Sequence, residues 1–461
     1  MRPLPLSRIA QWTGGRLLGD GQATDVLIDA VETDTRTLDA RDGRGALFVA
    51  LKGSHFDGHD HVAAAAQGAR AALVARQVEA PLPQVLVADT ERALGALAAA
   101  LQHARRGRVV GITGSNGKTS VKQLTLEIAS RAMRAHANPG NRNNEIGLPL
   151  SVIETPDDVD VAIYEMGAGK RDDIAYLTSI ARPHVALVNN VAPAHLERMQ
   201  SLMGIAETKG AIYEALPYDG TAVINADDAF SPYFANRAQG RRVLRFGLEA
   251  SADVTARDIA CGDEESRFTL VVPGASIGVR LPLPGRHNIA NALAASSIAL
   301  ALGVPLDTIA AALSEAEPVK GRLVRHRLAN GAMLIDDSYN ANPGSLNAAI
   351  DTLAAAAGES WLVLGDMREL GDDAEALHAE AGRRARRAGI ARVYAIGPLS
   401  RAAAEAFGEG GRHFQNHGAL VDALRVDLHA GVRVLVKGSR GSAMDRVVDA
   451  LLPETGGHDA A

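Results

Sequence analysis

The chain has 461 residues, a net charge of −6, 47% hydrophobic and 22% charged residues, and a single cysteine. That length suggests roughly two to four domains, and that composition supports folded cores and excludes a chain disordered as a whole. The negative balance argues against a general nucleic-acid surface, and one cysteine, Cys261, can form neither an internal disulfide nor a cysteine-rich metal site; a small buried or half-exposed side chain is expected there.

The opening stretch MRPLPLSRIAQWTGG lacks the apolar core of a signal peptide. Alanine-rich stretches such as LGALAAALQHA suit a soluble helix but are too short and polar to cross a bilayer. A soluble, cytoplasmic protein is therefore expected. Residues 1–88 form a first region, with β-type runs DVLIDAVETDTR and ALFVAL and an alanine-rich helical segment, HVAAAAQGARAALVA. The proline-containing stretch APLPQ, residues 80–84, is expected to mark a boundary.

Residues 89–318 alternate apolar runs with helical patterns, as expected for a mostly parallel sheet covered by helices. RVVGI, VAIYEM, HVALVNNV and TAVINADD are expected strands, and SVKQLTLEIASRAM an expected helix with Val121, Leu124 and Ile128 on one face. Residues 319–461 repeat the alternation through MLIDDS, WLVLGD, RVYAIG and VRVLVKG, a second α/β unit of common size. The tail, PETGGHDAA, is expected to fray.

Chemistry concentrates first in VVGITGSNGKTS, residues 109–120. The usual phosphate loop places glycine five positions before Gly-Lys-Ser/Thr, and Ile112 stands there instead. Context still favours a nucleotide site over a plain glycine turn. A buried strand precedes the loop and an amphipathic helix follows it, so backbone N–H groups and the positive helix end face an anion. Gly114 and Gly117 let the backbone approach phosphate oxygens, Lys118 can neutralise phosphate charge, and Thr119 can offer a hydroxyl to Mg²⁺. Glu165 ends an apolar strand, where a Mg²⁺ partner is expected beside a phosphate loop. The asparagine-rich block NPGNRNNEIGLPLSV reads by itself equally well as a solvated turn.

TGSNGKTS resembles the phosphate loop of the Mur ligase family, ATP-dependent amide-forming enzymes of peptidoglycan synthesis. Further blocks resemble the same family in the expected order, over about residues 30–450. GNRNNEIGLP resembles the family's D-alanyl-D-alanine-adding branch and makes Asn141, Asn143 and Asn144 candidate substrate contacts. EMGA, which opens with Glu165, is similar to the family's Glu-Leu/Met-Gly-Ala block. In VNNVAPAHLERMQSLMGIAETKGAIYEAL, His195 matches a histidine near a second Mg²⁺, and Lys209 the lysine that the family carbamylates with CO₂. Without the resemblance, His195 reads as structural and Lys209 as solvated.

LPGRHNIANALAA resembles the adenine-side block. Asn288 and Asn291 lie three apart on one helical face and can pair with an adenine edge. Arg322 in VKGRL matches an arginine that reaches the phosphates. DDSYNANPGSLNAAI closely resembles a block in which Asp337 would meet nucleotide or metal-bound water and Asn340 and Asn342 the amino substrate or nucleotide. Lys437, Ser439 and Arg440 are carboxylate contacts or a structural turn. In the first region, Asp34, Arg36 and Lys52 lie in blocks resembling the domain that holds a uridine diphosphate sugar, although composition alone makes them surface loops.

The resemblance implies three α/β domains: an N-terminal UDP-muramoyl substrate domain (1–88), a central phosphate-loop ATPase domain with a mostly parallel sheet (89–318), and a Rossmann-like C-terminal ligase domain (319–461). It implies ATP on Gly114, Ser115, Asn116, Gly117, Lys118, Thr119, Ser120, Asn288, Asn291, Arg322 and Asp337. It also implies two Mg²⁺ ions on Thr119, Glu165, His195 and carbamylated Lys209. The implied reaction joins D-alanyl-D-alanine to UDP-N-acetylmuramoyl-tripeptide through an acyl phosphate, in a monomer without nucleic-acid or membrane partners. Three alternatives compete. A diamino-acid-adding relative would carry Asn-Pro-Arg where this chain has Ala-Asn-Pro-Gly; a folylpolyglutamate synthase would place its phosphate loop near the N-terminus; a non-catalytic ATP module would lack Glu165, His195 and Lys209.

Overall fold

The computed structural model describes residues 1–18, 25–38, 45–193, 196–199, 201–355 and 358–452. His195 and the tail at 453–461 lie outside the described residues. Among the described residues, no helix is long and apolar enough to cross a membrane.

Three large sheets organise the α/β chain. The first takes strands Arg16–Leu18, Gln84–Leu86, Ala69–Val74, Ala46–Val49 and Ala30–Glu32 in that spatial order. Two expectations fail here. HVAAAAQGARAALVA is helical only over Val62–Ala65, and its second half is the strand Ala69–Val74. That strand is paired on both edges, and five of its six residues are buried. A strand covered on both faces shows no alternation, so its alanines read as helix until neighbouring strands claim them. APLPQ is no boundary either, because Gln84 opens a strand of the same sheet. One apolar cluster also runs from Leu6, Ile9 and Val85 through Leu94 to Tyr164 and Ile174, so the first sheet and the middle sheet share packing.

The middle sheet is wholly parallel, in the order Arg242–Phe246, Thr221–Asn225, Val185–Val188, Arg108–Thr113, Val161–Glu165, Ala135–Ala137. The chain leaves the central strand Arg108–Thr113, builds one side of it, then returns to build the other. Neighbouring crossovers therefore diverge above the carboxyl end of that strand, which opens a crevice there. Helix Lys118–Ser130 begins two residues before its expected start and buries Val121, Leu124 and Ile128. A three-stranded antiparallel sheet (Thr255–Cys261, Ser266–Val272, Ala275–Leu281), unforeseen in the sequence, follows. Cys261 lies on it and is exposed, against expectation, because it ends an outer strand.

The last sheet runs Val324–Arg327, Met333–Asp337, Val432–Lys437, Glu359–Gly365, Arg392–Ile396, Gly411–Phe414, and only its first pair is antiparallel. Its core centres on Trp361, fully buried and stacked on Tyr394 at 5.6 Å between ring centroids. Trp361→Ala removes that ring from a site walled by strands that cannot collapse. We expect it to cost ~3–5 kcal/mol, read as an earlier unfolding transition in urea.

Candidate active site

The loop after strand Arg108–Thr113 is tied down almost wholly by amides. Gly114 and Gly117 have φ of 149° and 77°, a backbone course that side-chain-bearing residues avoid. Ser115 N donates to Asn190 O (2.9 Å) and Asn116 N to Asn190 Oδ1 (2.8 Å). Asn189 Nδ2 donates to Asn116 O (2.9 Å) and to Asn291 Oδ1 (3.2 Å). Asn189 and Asn190 were not singled out in the sequence, where their block drew attention to His195 and Lys209. The available signal was their place immediately beyond the strand Val185–Val188, beside the loop.

Two lysines donate to the backbone of this loop, and a third lies beside Glu165. Lys118 Nζ donates to Gly114 O at 2.7 Å and Ser115 O at 3.3 Å. Desolvation lowers its pKa, nearby Glu165 opposes that shift, and Arg322 adds to it. Lys209, 2% exposed, donates to Gly114 O at 3.1 Å. Burial first, then the Lys118 charge, hold its pKa well below the usual lysine value. Lys122, one turn into the helix, is also buried, between Asn138 O (2.8 Å), Gly140 O (2.9 Å) and Glu165 Oε2 (3.5 Å). It was missed as well; its signal was a lysine on the same buried stripe as Thr125 and Ala129.

Glu165 is 2% exposed at the end of its strand. Thr119 Oγ1 donates to its Oε2 (2.9 Å) and Asn143 Nδ2 to its Oε1 (2.8 Å). Asn138 clamps the same backbone, accepting from Glu165 N (2.8 Å) and donating to Glu165 O (3.1 Å). The Asn-rich block is thus a built turn against the strand end. Mg²⁺ fits the Thr119–Glu165 pair: oxygens in cis positions of an octahedron with bonds of ~2.0–2.1 Å lie ~2.9 Å apart. Among the described residues, no group of three or more His, Cys, Asp or Glu side chains could hold a metal ion.

Two cavities meet at Asn116, Gly117 and Arg322. The smaller, about 270 Å³, is lined by Ser120, Asn189, His287, Asn288, Asn291 and Asp337 among others. Asn288 Nδ2 donates to Pro284 O (2.8 Å), and both Asn288 and Asn291 face this space from one helix, as their spacing predicts. The larger, about 430 Å³, gathers the loop from Gly114 to Thr119, Asn141, Asn143, Asn144, Glu165, Lys209, Asn340 and Asn342. Arg322 lies over the Tyr339 ring (4.3 Å) and borders both spaces.

The last sheet closes these cavities. Asn342 caps helix Pro343–Ala354 and donates from Nδ2 to Asn116 Oδ1 of the phosphate loop (2.7 Å). Elsewhere Arg433 of the last sheet pairs with Asp263, in the turn between the first two strands of the three-stranded sheet (2.7 Å). Asp337 is bound to buried Lys437 (2.6 Å), its register neighbour on the adjacent parallel strand. Ser439 is used structurally, donating to Ala341 O (3.1 Å), while Arg440 borders the larger cavity and pairs with Asp445 (3.1 Å). Asp34, Arg36 and Lys52 border neither cavity. Asp34 caps a short 3₁₀ turn, and its hydrogen bond from the exposed Arg36 guanidinium lowers its pKa to about 2.

Residues 112–299 match the Mur ligase middle domain, and residues 321–440 the family described as Mur ligase, glutamate ligase domain. The chain is 45% identical to the UDP-N-acetylmuramoyl-tripeptide–D-alanyl-D-alanine ligase of Escherichia coli strain K12, over 94% of this chain and 96% of that one. Among solved structures it is similar to MurF from Acinetobacter baumannii (TM-score 0.91, 33% identity, 98% of this chain and 99% of that one). It is also similar to MurF ligase from Thermotoga maritima in complex with ADP (TM-score 0.81, 28% identity, 92% and 96%).

A Cβ at Gly117 would overlap Asn291 Oδ1 and stand 2.5 Å from Asn189 Nδ2, at a φ that alanine resists. Gly117→Ala is therefore expected to weaken ADP binding by at least about tenfold, ~1.4 kcal/mol, with an unchanged far-UV circular dichroism spectrum. Calorimetric titration of ADP checks it.

Proposed function

The chain belongs to the Mur ligase family, and we propose that it joins D-alanyl-D-alanine to UDP-N-acetylmuramoyl-tripeptide at the expense of ATP. One observation carries the reading: the phosphate loop, Glu165 and Lys209 share a cavity with Asn340 and Asn342 of the last sheet, in a chain 45% identical to a ligase of that name. A carboxylate is a poor electrophile because its leaving group would be oxide. Transfer of the γ-phosphoryl group from ATP to the tripeptide carboxylate makes an acyl phosphate, the dipeptide amine attacks the carbonyl carbon, and phosphate leaves with the C–O bond electrons.

The residues divide this work. The smaller cavity takes the base, with the Asn288 and Asn291 amides at its edge. The loop N–H groups and Lys118 take the phosphates, Lys118 exchanging Gly114 O for a phosphate oxygen. Arg322 stands where the two spaces join and reaches the same phosphates. Thr119 and Glu165 would hold Mg²⁺, which when bound would offset charge on the phosphoryl oxygens. His195 would serve a second ion. Asn141, Asn143 and Asn144 orient the tripeptide, and Asn340 and Asn342 the dipeptide. Residues 1–88 hold the uridine diphosphate end through Asp34, Arg36 and Lys52, residues 89–318 handle ATP, and residues 319–461 bring the dipeptide. We place the enzyme in the cytoplasm as a monomer.

Lys209 fits a carbamate. Its lowered pKa leaves more of the amine neutral, the form that attacks CO₂, and among the described residues its ammonium has only Gly114 O as a hydrogen-bond partner. The product would be an anion beside Lys118, in the cavity that Glu165 also lines. Lys209→Ala is expected to lose most activity and to regain part of it with added small carboxylates. Full activity of that variant without them would sink the carbamate.

Phosphate release from ATP by the purified protein with Mg²⁺ tests the whole reading. Release should require both tripeptide and dipeptide, with dipeptide joined and phosphate released in equal amounts. Release indifferent to the dipeptide would overturn the substrate assignment.

A further inference from the structure

Lys122 has no place in the reaction as described above. It is 4% exposed, and its ammonium is fixed by two carbonyl oxygens, Asn138 O at 2.8 Å and Gly140 O at 2.9 Å. It cannot swing away without leaving both carbonyls short of a donor. From that fixed position it stands 3.5 Å from Glu165 Oε2, the oxygen that also accepts from Thr119. The same oxygen faces the position where a cation would meet Thr119 Oγ1.

The charges around that position are unbalanced. Lys118 and Lys209 both donate to Gly114 O, and Arg322 borders the same cavity. Cations therefore gather at the phosphate loop, and Glu165 is the carboxylate that Thr119 of the following helix contacts. A dication at Glu165 and Thr119 would face Lys122 across one carboxylate oxygen, with two protein ligands beneath it. Phosphate oxygens supply both the missing negative charge and further ligands.

We propose that Lys122 is a positioning residue that counters the charge of Glu165, so that a divalent cation is held at Glu165 and Thr119 only together with the phosphates of a nucleotide. Binding then has an order: free Mg²⁺ does not occupy the site ahead of ATP, and the cation enters as part of the nucleotide complex. The nucleotide-free site keeps Glu165 in place through Lys122, Asn143 and Thr119. The inference rests on the ligase reading for its nucleotide, but it concerns a binding equilibrium that needs neither peptide substrate.

The test is titration of the full chain with Mn²⁺, followed by electron paramagnetic resonance of the free ion, without and with saturating ADP. In the unaltered protein, affinity for Mn²⁺ alone is expected to be at least about a hundredfold weaker than with ADP. Lys122→Met, neutral and of similar length, should tighten nucleotide-free binding by about tenfold or more, whereas a merely structural role would weaken it. Adding Glu165→Gln should abolish that gain. Lys122→Met binding Mn²⁺ no tighter than the unaltered protein, or a gain that survives Glu165→Gln, would overturn the inference. If Lys122→Met does not fold, the unaltered protein decides: equal Mn²⁺ affinity with and without ADP overturns the inference, and a hundredfold difference that Lys122→Arg preserves supports it. Failure to bind Mn²⁺ with ADP at all would instead overturn the ligase reading itself.

Discussion

The site depends on one constraint: a tightly curled backbone loop must present its N–H groups to an anion while its own flanks stay fixed. Glycine supplies the curl at Gly114 and Gly117, and asparagine supplies the fixing. Asparagine suits this place because its amide both donates and accepts without charge. Asn189 can therefore hold Asn116 O and Asn291 Oδ1 at once, and Asn190 the amide nitrogen of Asn116. A charged side chain there would compete with the phosphates or repel them.

Fixing the loop this way also decides the electrostatics. Burial sets the ammonium groups of Lys118 and Lys209 against the loop and that of Lys122 beside Glu165, and desolvation lowers the pKa of each. Such a cluster is costly when empty. It becomes favourable once triphosphate arrives, so the arrangement is complementary to a charge that the protein does not itself carry. Among the described residues Lys209 has no carboxylate partner, and the same desolvation that makes its charge unfavourable favours its neutral, nucleophilic form.

The two sheets that form the reaction chamber meet through small polar contacts as well as through packing. The Asn342–Asn116 hydrogen bond joins a helix cap of the last sheet to the phosphate loop of the middle one, and Arg433–Asp263 ties the last sheet to the three-stranded one. A hydrogen-bonded seam can open at modest cost, because its groups regain water when separated. That property suits an enzyme that must admit its substrates and then shut them away from water.

Much of this was legible in the sequence. Gly-Lys-Thr between a buried strand and an amphipathic helix pointed to the loop, Glu165 followed from its place at the end of a strand beside it, and spacing put Asn288 and Asn291 on one helical face, while their adenine-side reading came from the family resemblance. Those features are local: a strand, a turn and a helix face are set by residues adjacent in the chain. The strand Ala69–Val74, the antiparallel sheet after residue 254, and the roles of Lys122, Asn189 and Asn190 were not legible. Each depends on partners far away in the chain. Ala69–Val74 becomes a strand only when strands on both sides cover it, and Lys122 matters only because Glu165, forty-three residues later, is brought to within 3.5 Å. The sequence by itself determined which groups could bind a nucleotide. Only the tertiary structure decided which lysines lie in the dark of the loop and which carboxylate answers them, because burial and charge pairing are properties of neighbours in space.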